Sequence, residues 1–355
     1  MKALHDPIEL IQRSLDEWDD VPPVEADIFE TASASAIADS ITGFCERHLG
    51  AGVAGYLFCA SGIGSSHGVK LTDGRVVMIK VRPPADTNPD MIHSREGLSV
   101  ICEALKWLHA RGFPCPELLL GPVPLGRGLA TAEAFIEGGR RGDAFQAADR
   151  KIIAAGLAEL IRLLRSFEGD AQYLQRRTSR EALYPQPHSR IFDFEKTAAR
   201  AEWIDEFARR ARRGMDHEGA CVLGHADWRV EHIRFQGGRM VAVFDWDSLV
   251  YRQETAIVGG AAAGFTADWS RQEVRRVPTG ADIRAFLADY EQARGRAFSA
   301  RERQCILASC VYSLAYGARC AHATAPDKTA WKEDSWPHLL RAEGDALLAE
   351  ASRVG

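Results

Sequence analysis

The chain carries two acidic motifs close together, Val222-Leu223-Gly224-His225-Ala226-Asp227-Trp228-Arg229-Val230-Glu231-His232-Ile233-Arg234-Phe235 and then Val241-Ala242-Val243-Phe244-Asp245-Trp246-Asp247. Between them, apolar residues alternate on either side of Gln236-Gly237-Gly238-Arg239, a pattern typical of a β-hairpin. A hairpin brings its two ends together. We therefore expect the carboxylates of Asp227 and Asp245 to face the same point in space.

Two carboxylates placed in this way suit phosphoryl transfer. One of them orients or deprotonates the attacking hydroxyl, while the other holds Mg²⁺ on the phosphates of a nucleotide. Mg²⁺ is a hard cation that prefers oxygen ligands, which paired aspartates supply. The two motifs therefore favour a phosphoryl-transfer centre.

Upstream of these motifs, the apolar spacing changes from helical to strand-like. Residues 9–18 and 35–48 have apolar positions at three- and four-residue steps, which predicts two amphipathic helices in an N-terminal extension. Residues 55–82 predict a three-stranded antiparallel meander, because Asp73-Gly74 separates two β-rich runs. The remaining elements predicted in this part are a helix and two strands: Ser94–Arg111, Glu117–Leu120 and Leu129–Ile136.

Downstream of Gly138-Gly139 the pattern is mainly helical. Single helices are predicted over 147–167 and 195–215, and helices are predicted to dominate residues 281–325 and 336–352. Residues 168–192 contain two prolines and many polar residues, which predicts a loop or an insertion. The sequence thus predicts an α+β protein of two lobes, with N-terminal helices and a small antiparallel sheet in residues 1–137. Residues 138–355 would form a larger, mainly α-helical lobe, and a ligand cleft would lie between the lobes.

The pattern His-x-Asp-x-x-x-x-Asn, followed by a hairpin and Asp-x-Asp, resembles the signature of the aminoglycoside phosphotransferase and choline kinase group. That group is a branch of the protein-kinase-like fold, in which ATP lies between the two lobes, and the resemblance covers nearly all of residues 55–350. It implies that Asp227 is the catalytic aspartate, that Asp245 is the Mg²⁺ ligand, that Asp247 is a supporting carboxylate, and that His225 braces the catalytic loop. ATP or GTP would be the phosphoryl donor.

One position departs from the pattern, because the metal-binding asparagine of the group falls on His232. An imidazole can ligate a metal but is a softer donor than an amide oxygen. Three interpretations stay open: His232 binds Mg²⁺ through a ring nitrogen, Glu231 takes this role, or the second metal position is weakened. An active enzyme is favoured because Asp227, Asp245 and Lys80 are all in place.

The N-terminal part supplies candidate nucleotide-binding residues. The glycine-rich loop holds Gly62, Gly64, Ser65 and Gly68, and small residues let main-chain N–H groups approach an anion. Lys80 lies in an otherwise apolar strand, where a charge costs desolvation unless it is paired. The resemblance implies that Lys80 contacts the α- and β-phosphates and pairs with a glutamate of the following helix, with Glu96 as first choice and Glu103 as fallback.

Two further site predictions complete the set. The stretch around Ala134 and Phe135 resembles the hinge of the group, where main-chain groups bond the edge of the adenine. Arg229, beside the catalytic aspartate, would screen the charge of the transition state, or it would be a salt-bridged loop residue. The acceptor implied by the resemblance is a small molecule with a hydroxyl: an aminoglycoside or other natural product, an amino alcohol, a sugar or an amino acid.

Composition excludes several other classes of function. The 355 residues carry 44 Lys and Arg against 49 Asp and Glu, a net charge of -5, which gives no electrostatic reason to expect nucleic acid or an anionic membrane as partner. No run of about 18 apolar residues is present, so we expect no membrane span and a cytoplasmic location. The eight cysteines form no CxxC pair, which favours reduced, buried thiols.

Three rival functions are weighed against a small-molecule kinase. A nucleotide-binding regulatory protein that has lost catalysis would explain His232. A kinase of protein side chains would need an activation segment after Asp245 that ends in an Ala-Pro-Glu-like anchor, and the sequence has none. A metal-dependent hydrolase would be built on His225, Asp227, His232 and Asp245.

Overall fold

The structure is a computed structural model, and it describes residues 4–17, 23–84, 94–175, 182–187, 189, 191–215, 219–271 and 275–353. These residues form two compact units. The first takes in the described chain as far as Arg111 together with Pro116–Glu137, and the second takes in Gly112–Cys115, Gly138–Pro187 and the chain from Ile191 onwards.

The first unit is built on a five-stranded sheet in which every neighbouring pair is antiparallel. Its strands are β1 (Val53–Ser61), β2 (Ser65–Leu71), β3 (Val76–Arg82), β4 (Leu118–Leu125) and β5 (Gly128–Ala134). Their order across the sheet is β1-β2-β3-β5-β4. The predicted meander over 55–82 is therefore confirmed. Its second turn contains Gly74 at φ 91°, a conformation that glycine adopts without strain.

Three N-terminal helices pack their apolar sides on the sheet: α1 (Pro7–Asp16), α2 (Val24–Phe29) and α3 (Ala34–Leu49). Ile11, Ile28 and Ile37 from these helices share one buried core with Val69 of β2 and Ile79 of β3. The first and third helices match the predictions over 9–18 and 35–48, apart from Trp18, which lies outside the described residues. The second has six residues, too few for a helical period to show in the sequence. The N-terminal extension is thus part of the core of this unit.

The fourth helix, α4 (Arg95–His109), begins where the sequence predicts. The Ser94 side chain accepts a hydrogen bond of 3.0 Å from the main-chain N–H of Gly97 and so caps the helix.

The second unit is mainly helical. Its helices are α5 (Ala147–Leu164), α6 (Glu202–Gly214), α7 (Glu254–Gly264), α8 (Gly280–Arg294), α9 (Ala300–Thr324) and α10 (Trp336–Arg353). Two antiparallel ribbons accompany them: β6 (Cys221–His225) with β9 (Leu249–Gln253), and β7 (Ile233–Gln236) with β8 (Arg239–Val243). The long helix α9 packs against α6, α7 and α10. A Cβ on Gly259 of α7 would lie 2.5 Å from the Ile306 carbonyl oxygen, so glycine permits the close approach of α7 and α9.

One helix prediction is wrong at its N-terminal end. The sequence predicts a helix over 195–215, but α6 begins at Glu202. Arg200 has φ 67°, a left-handed conformation that ends regular helix geometry, and the Asp193 carboxylate accepts from the main-chain N–H of Lys196 in a separate turn.

Among the residues that the structure describes, no helix is long and apolar enough to cross a membrane. All eight cysteines lie in the described ranges, and none of them forms a disulfide. Burial raises the pKa of the Cys45 and Cys310 thiols to about 12, so these groups stay protonated and unreactive.

His67 on β2 gives the first unit a stability that depends on pH. Its ring is buried, and its Nε2 lies 2.8 Å from the hydroxyl oxygen of Ser65. Burial lowers the pKa of His67 to about 3. In the unfolded chain this imidazole binds a proton as the pH falls through about 6.5, whereas in the folded chain it stays neutral. The effect of His67 on the unfolding free energy is therefore absent above pH 6.5, and below that pH it lowers the unfolding free energy by about 1 kcal/mol per pH unit.

We expect His67→Leu to flatten the decline in unfolding free energy between pH 6.5 and 4.5, because the variant lacks this imidazole. Urea unfolding at several pH values measures the decline, and only its slope is compared. The exposed residue His109 provides the control, since His109→Leu should leave the slope unchanged. An equal slope for wild type and His67→Leu would contradict the assignment.

Candidate active site

The predicted hairpin is present and joins the two acidic motifs. Strands β7 and β8 connect through Gly237 and Gly238, with φ values of 57° and 72°, the left-handed pair that a tight hairpin turn requires. At the open end, the main-chain N–H of Phe244 donates to the His232 carbonyl oxygen at 2.9 Å. The chain therefore returns to the first motif just before it reaches Asp245.

Asp227, His232 and Asp245 form a compact group at this open end. One ligand atom from each lies within 4.8 Å of the others. Nδ1 of His232 is 3.9 Å from Oδ2 of Asp227 and 3.9 Å from Oδ2 of Asp245. The two carboxylates keep 40% and 38% of their side-chain surface exposed, so a ligand can reach them. The expectation that Asp227 and Asp245 face one point is confirmed.

Asp245 has a constrained main chain. Its φ of 61° and ψ of 49° place it in the left-handed region, which costs a non-glycine residue about 1 kcal/mol or more. The hydroxyl of Ser248 donates to its Oδ2 at 2.9 Å, and the Ser248 carbonyl accepts from the N–H of Ala226 at 2.8 Å. The turn that carries Asp245 is therefore bonded to the loop that carries Asp227.

His225 is buried between these two segments and bonds to both. Its Nδ1 accepts from the main-chain N–H of Asp227 at 3.2 Å, so the neutral ring carries its proton on Nε2 and donates to the Phe244 carbonyl at 3.2 Å. Burial lowers the pKa of His225 to about 4, and the nearby Asp245 opposes this shift only in part. The ring is thus neutral at pH 7 and links the two motifs.

Arg229 places a positive charge among these groups. Its guanidinium lies 3.2 Å from Oδ2 of Asp227, 3.2 Å from Oε2 of Glu231 and 3.1 Å from Nε2 of His232. Asp247, predicted to be a supporting carboxylate, is half-buried in the turn after Asp245 and lies outside the compact group of three. Its role as a metal ligand stays a prediction.

The two tryptophans that follow Asp227 and Asp245 belong to the core. Trp228 and Trp246 are buried, and their indole N–H groups donate to the carbonyl oxygens of Ile153 and Val243, each at 2.9 Å. Both rings pack edge-on against His225. They hold the histidine in place by packing.

In the first unit, the glycine-rich loop is shorter than predicted. Residues 65–68 belong to β2, and the turn between β1 and β2 consists of residues 62–64, with the N–H of Gly62 bonded to the Gly64 carbonyl. Ser65 is buried and its hydroxyl contacts His67. A Cβ on Gly68 would lie 2.9 Å from the Phe135 ring, so packing explains this glycine. Gly62 and Gly64 stay as predicted phosphate-loop residues.

Lys80 on β3 makes an ion pair with a residue that the sequence analysis missed. Its Nζ lies 3.3 Å from Oε2 of Glu133 on β5, and the two side chains are only 13% and 6% exposed. The predicted partners Glu96 and Glu103 are both exposed on α4, so a pair between Lys80 and the helix stays a prediction. Glu133 could have been found as the one acidic residue within a strand of small residues, which needs a counter-charge as much as Lys80 does.

The predicted hinge residues use their main-chain donors within the sheet. The N–H of Ala134 donates to the Glu117 carbonyl at 2.8 Å, and the N–H of Phe135 donates to the Val76 carbonyl at 3.1 Å. Adenine contacts at these residues stay a prediction, and they would have to use other main-chain groups.

Two acidic residues that follow Asp247 in the chain, Glu254 and Asp268, have structural partners. Glu254 bonds the Tyr290 hydroxyl at 2.8 Å and lies 3.2 Å from the guanidinium of Arg294. Asp268 is buried, with Arg141 at 3.6 Å and Arg271 at 3.9 Å. Both carboxylates form ion pairs with arginines of the same unit, so these contacts explain them without a cationic acceptor.

The group at the open end of the hairpin fits a hard divalent cation through its carboxylates. Asp227 and Asp245 offer accessible oxygen atoms, the donors that Mg²⁺ prefers. His232 adds a nitrogen at a suitable distance, but its hydrogen bonds decide whether that nitrogen has a lone pair to give.

The ion pair in the first unit can be tested by stability alone. We expect Glu133→Gln to lower the free energy of unfolding by about 1–3 kcal/mol, because Lys80 loses a buried counter-charge. Urea unfolding at pH 7 measures the change. The matched substitution Glu96→Gln removes an exposed charge and should shift stability by less than about 0.5 kcal/mol. If Glu96→Gln were the more damaging of the two, the helix glutamate would be the true partner.

Solved structures share this fold at low sequence identity. The amicoumacin kinase hAmiN, in complex with AMP-PNP, Ca²⁺ and Ami, is 11% identical at a TM-score of 0.55, over 84% of this chain and 87% of its own. Spectinomycin phosphotransferase APH(9)-Ia, in complex with ADP and spectinomycin, is 10% identical at a TM-score of 0.52, over 89% of this chain and 96% of its own. A choline/ethanolamine kinase family protein from Mesorhizobium loti is 14% identical at a TM-score of 0.51, over 90% of this chain and 94% of its own.

These similarities establish a protein-kinase-like fold. No curated protein shows significant similarity to the chain in sequence. The model of the phosphotransferase enzyme family (APH) matches residues 64–300, more than half of the chain, and this range includes Lys80, Asp227 and Asp245. The chain therefore belongs to the phosphotransferase enzyme family.

Proposed function

We propose that the protein is an ATP- and Mg²⁺-dependent kinase that transfers the γ-phosphoryl group to a hydroxyl of a small molecule. The observation that carries the proposal is the pair of accessible carboxylates, Asp227 and Asp245, held together at the open end of one hairpin. GTP is the alternative donor. Membership of the phosphotransferase family supports the reaction class.

Each residue has a role that its surroundings support. Asp227 is half exposed and orients the acceptor hydroxyl or takes its proton as the new P–O bond forms and the bond to the leaving diphosphate breaks. Asp245 would hold the divalent ion, which neutralises phosphate charge when bound. Arg229, in contact with Asp227, would add positive charge to the transition state. Lys80 and the turn at 62–64 would bind the phosphates.

The relatives support the donor and the kind of acceptor. The amicoumacin kinase holds AMP-PNP and Ca²⁺, and the spectinomycin phosphotransferase holds ADP and its antibiotic. By analogy we propose a nucleotide, a divalent metal and a small-molecule acceptor for this chain. The acceptor would be an aminoglycoside or other natural product, an amino alcohol, a sugar or an amino acid. Glu254 and Asp268 are paired with arginines, so they give no particular support to a cationic acceptor.

A catalytically degenerate nucleotide-binding protein is the second candidate, and His232 is the observation that favours it. The loss of an amide oxygen at this position removes one hard ligand. The two candidates differ in turnover, since a degenerate protein would bind nucleotide without acceptor-dependent release of ADP.

We expect ADP release from ATP and Mg²⁺ to rise with one acceptor from a panel of antibiotics, amino alcohols, sugars and amino acids. Asp227→Asn should lower the stimulated rate by about 10²–10⁴-fold, because the neutral amide cannot accept the hydroxyl proton. A coupled assay of ADP measures both. The exposed residue Asp170 provides the control, since Asp170→Asn should leave the rate unchanged.

Two results would contradict the kinase. Nucleotide binding without ADP release in the wild type, with acceptor-dependent release restored in His232→Asn, would favour the degenerate protein. Acceptor-dependent release that survives Asp227→Asn would remove Asp227 from the mechanism.

A further inference from the structure

The hydrogen bonds of His232 determine which of its ring nitrogens carries a proton. The guanidinium of Arg229 meets Nε2 with two nitrogen atoms, Nη2 at 3.1 Å and Nε at 3.3 Å. A guanidinium has N–H donors and no acceptor. Nε2 therefore accepts these bonds, and its lone pair points to Arg229.

The second nitrogen must then be the donor. A neutral imidazole carries one N–H, so the proton lies on Nδ1. Nδ1 is 3.0 Å from the main-chain carbonyl oxygen of Asp227, which accepts. The two contacts agree with one tautomer: Arg229 donates at one edge of the ring, and the other edge donates to the backbone of Asp227.

This tautomer changes what the compact group offers to a metal ion. The edge of His232 that lies 3.9 Å from the carboxylates of Asp227 and Asp245 presents an N–H group, whereas a metal ligand needs a lone pair. Reversing the tautomer would place an N–H on Nε2, directly against the donors of Arg229. Distance alone admits His232 as a ligand, but its hydrogen bonds oppose that role.

Glu231, the other residue that could replace the asparagine, is also engaged by the guanidinium. Its Oε2 is buried and makes no hydrogen bond, but it lies 3.2 Å from Nε of Arg229 as an ion pair. Arg229 thus contacts both side chains that could have supplied an extra ligand. Its Nη2 also lies 3.2 Å from Oδ2 of Asp227.

We propose that His232 is a positioning residue and not a metal ligand. Arg229 fixes the ring so that Nδ1–H holds the main chain at Asp227, and the divalent ion binds through carboxylate oxygens without histidine nitrogen. The second half of this inference rests on the proposed function, while the first half concerns the metal-free protein.

The first test needs neither metal nor nucleotide. The protein is labelled with [¹⁵N]histidine, and its imidazole nitrogens are observed by NMR at about pH 8, where an ordinary histidine is neutral. His232→Gln identifies the signals of His232. We expect the Nδ1–H tautomer in the wild type. Arg229→Met should reduce its share in favour of Nε2–H, because the fixed donor is gone. A wild-type ring with its proton on Nε2 would overturn the proposal.

The second test examines the metal directly. Mn²⁺ is bound to the full-length protein with ADP, and electron spin echo envelope modulation detects whether an imidazole nitrogen coordinates it. We expect no histidine coupling in the wild type, checked by comparing unlabelled and [¹⁵N]histidine protein. A coupling that disappears in His232→Gln would overturn the inference and leave the kinase proposal intact. Failure of Mn²⁺ and ADP to bind, with the expected tautomer in the NMR spectrum, would overturn the proposed function and the metal half of the inference.

Discussion

Most of the site depends on one buried neutral ring. His225 accepts from the N–H of Asp227 and donates to the carbonyl of Phe244, so both acidic motifs are bonded to the same imidazole. Two tryptophans pack on it and exclude water, which strengthens those bonds and keeps the ring uncharged. The carboxylates themselves stay exposed. The protein therefore fixes the main chain beneath the reactive groups and leaves their side chains open to ligand.

Much of this arrangement can be predicted from the sequence because it is local. A hairpin needs only alternating apolar residues and a turn that tolerates left-handed glycines, and both are visible at Gly237 and Gly238. The approach of Asp227 to Asp245 follows from the hairpin. The meander follows in the same way, from its Asp-Gly turn at Gly74.

The features that cannot be predicted from the sequence depend on contacts between residues that are far apart in the chain or closely packed in the folded protein. The partner of Lys80 lies on another strand, and pairing between strands is set by the order of the sheet, which places β5 beside β3. The predicted glycine-rich loop is longer than the observed turn because Gly68 is typical of a loop in sequence, whereas in the structure its lack of a side chain makes room for Phe135. For His232, residue type alone left three interpretations open. The orientation of Arg229 separates them, and orientation is a property of the folded loop.

The N-terminal helices bear on how this chain relates to its family. The family match begins at residue 64 and ends at 300. Strand β1 and the helices that bury Ile79 and Val81 lie before that start, and most of α9, around which α6, α7 and α10 pack, lies after that end. A fragment cut at the limits of the match would expose one face of the sheet and remove the central helix of the other unit. The region matched by the family model is thus smaller than the two packed cores, and a fragment made for expression should contain both cores in full.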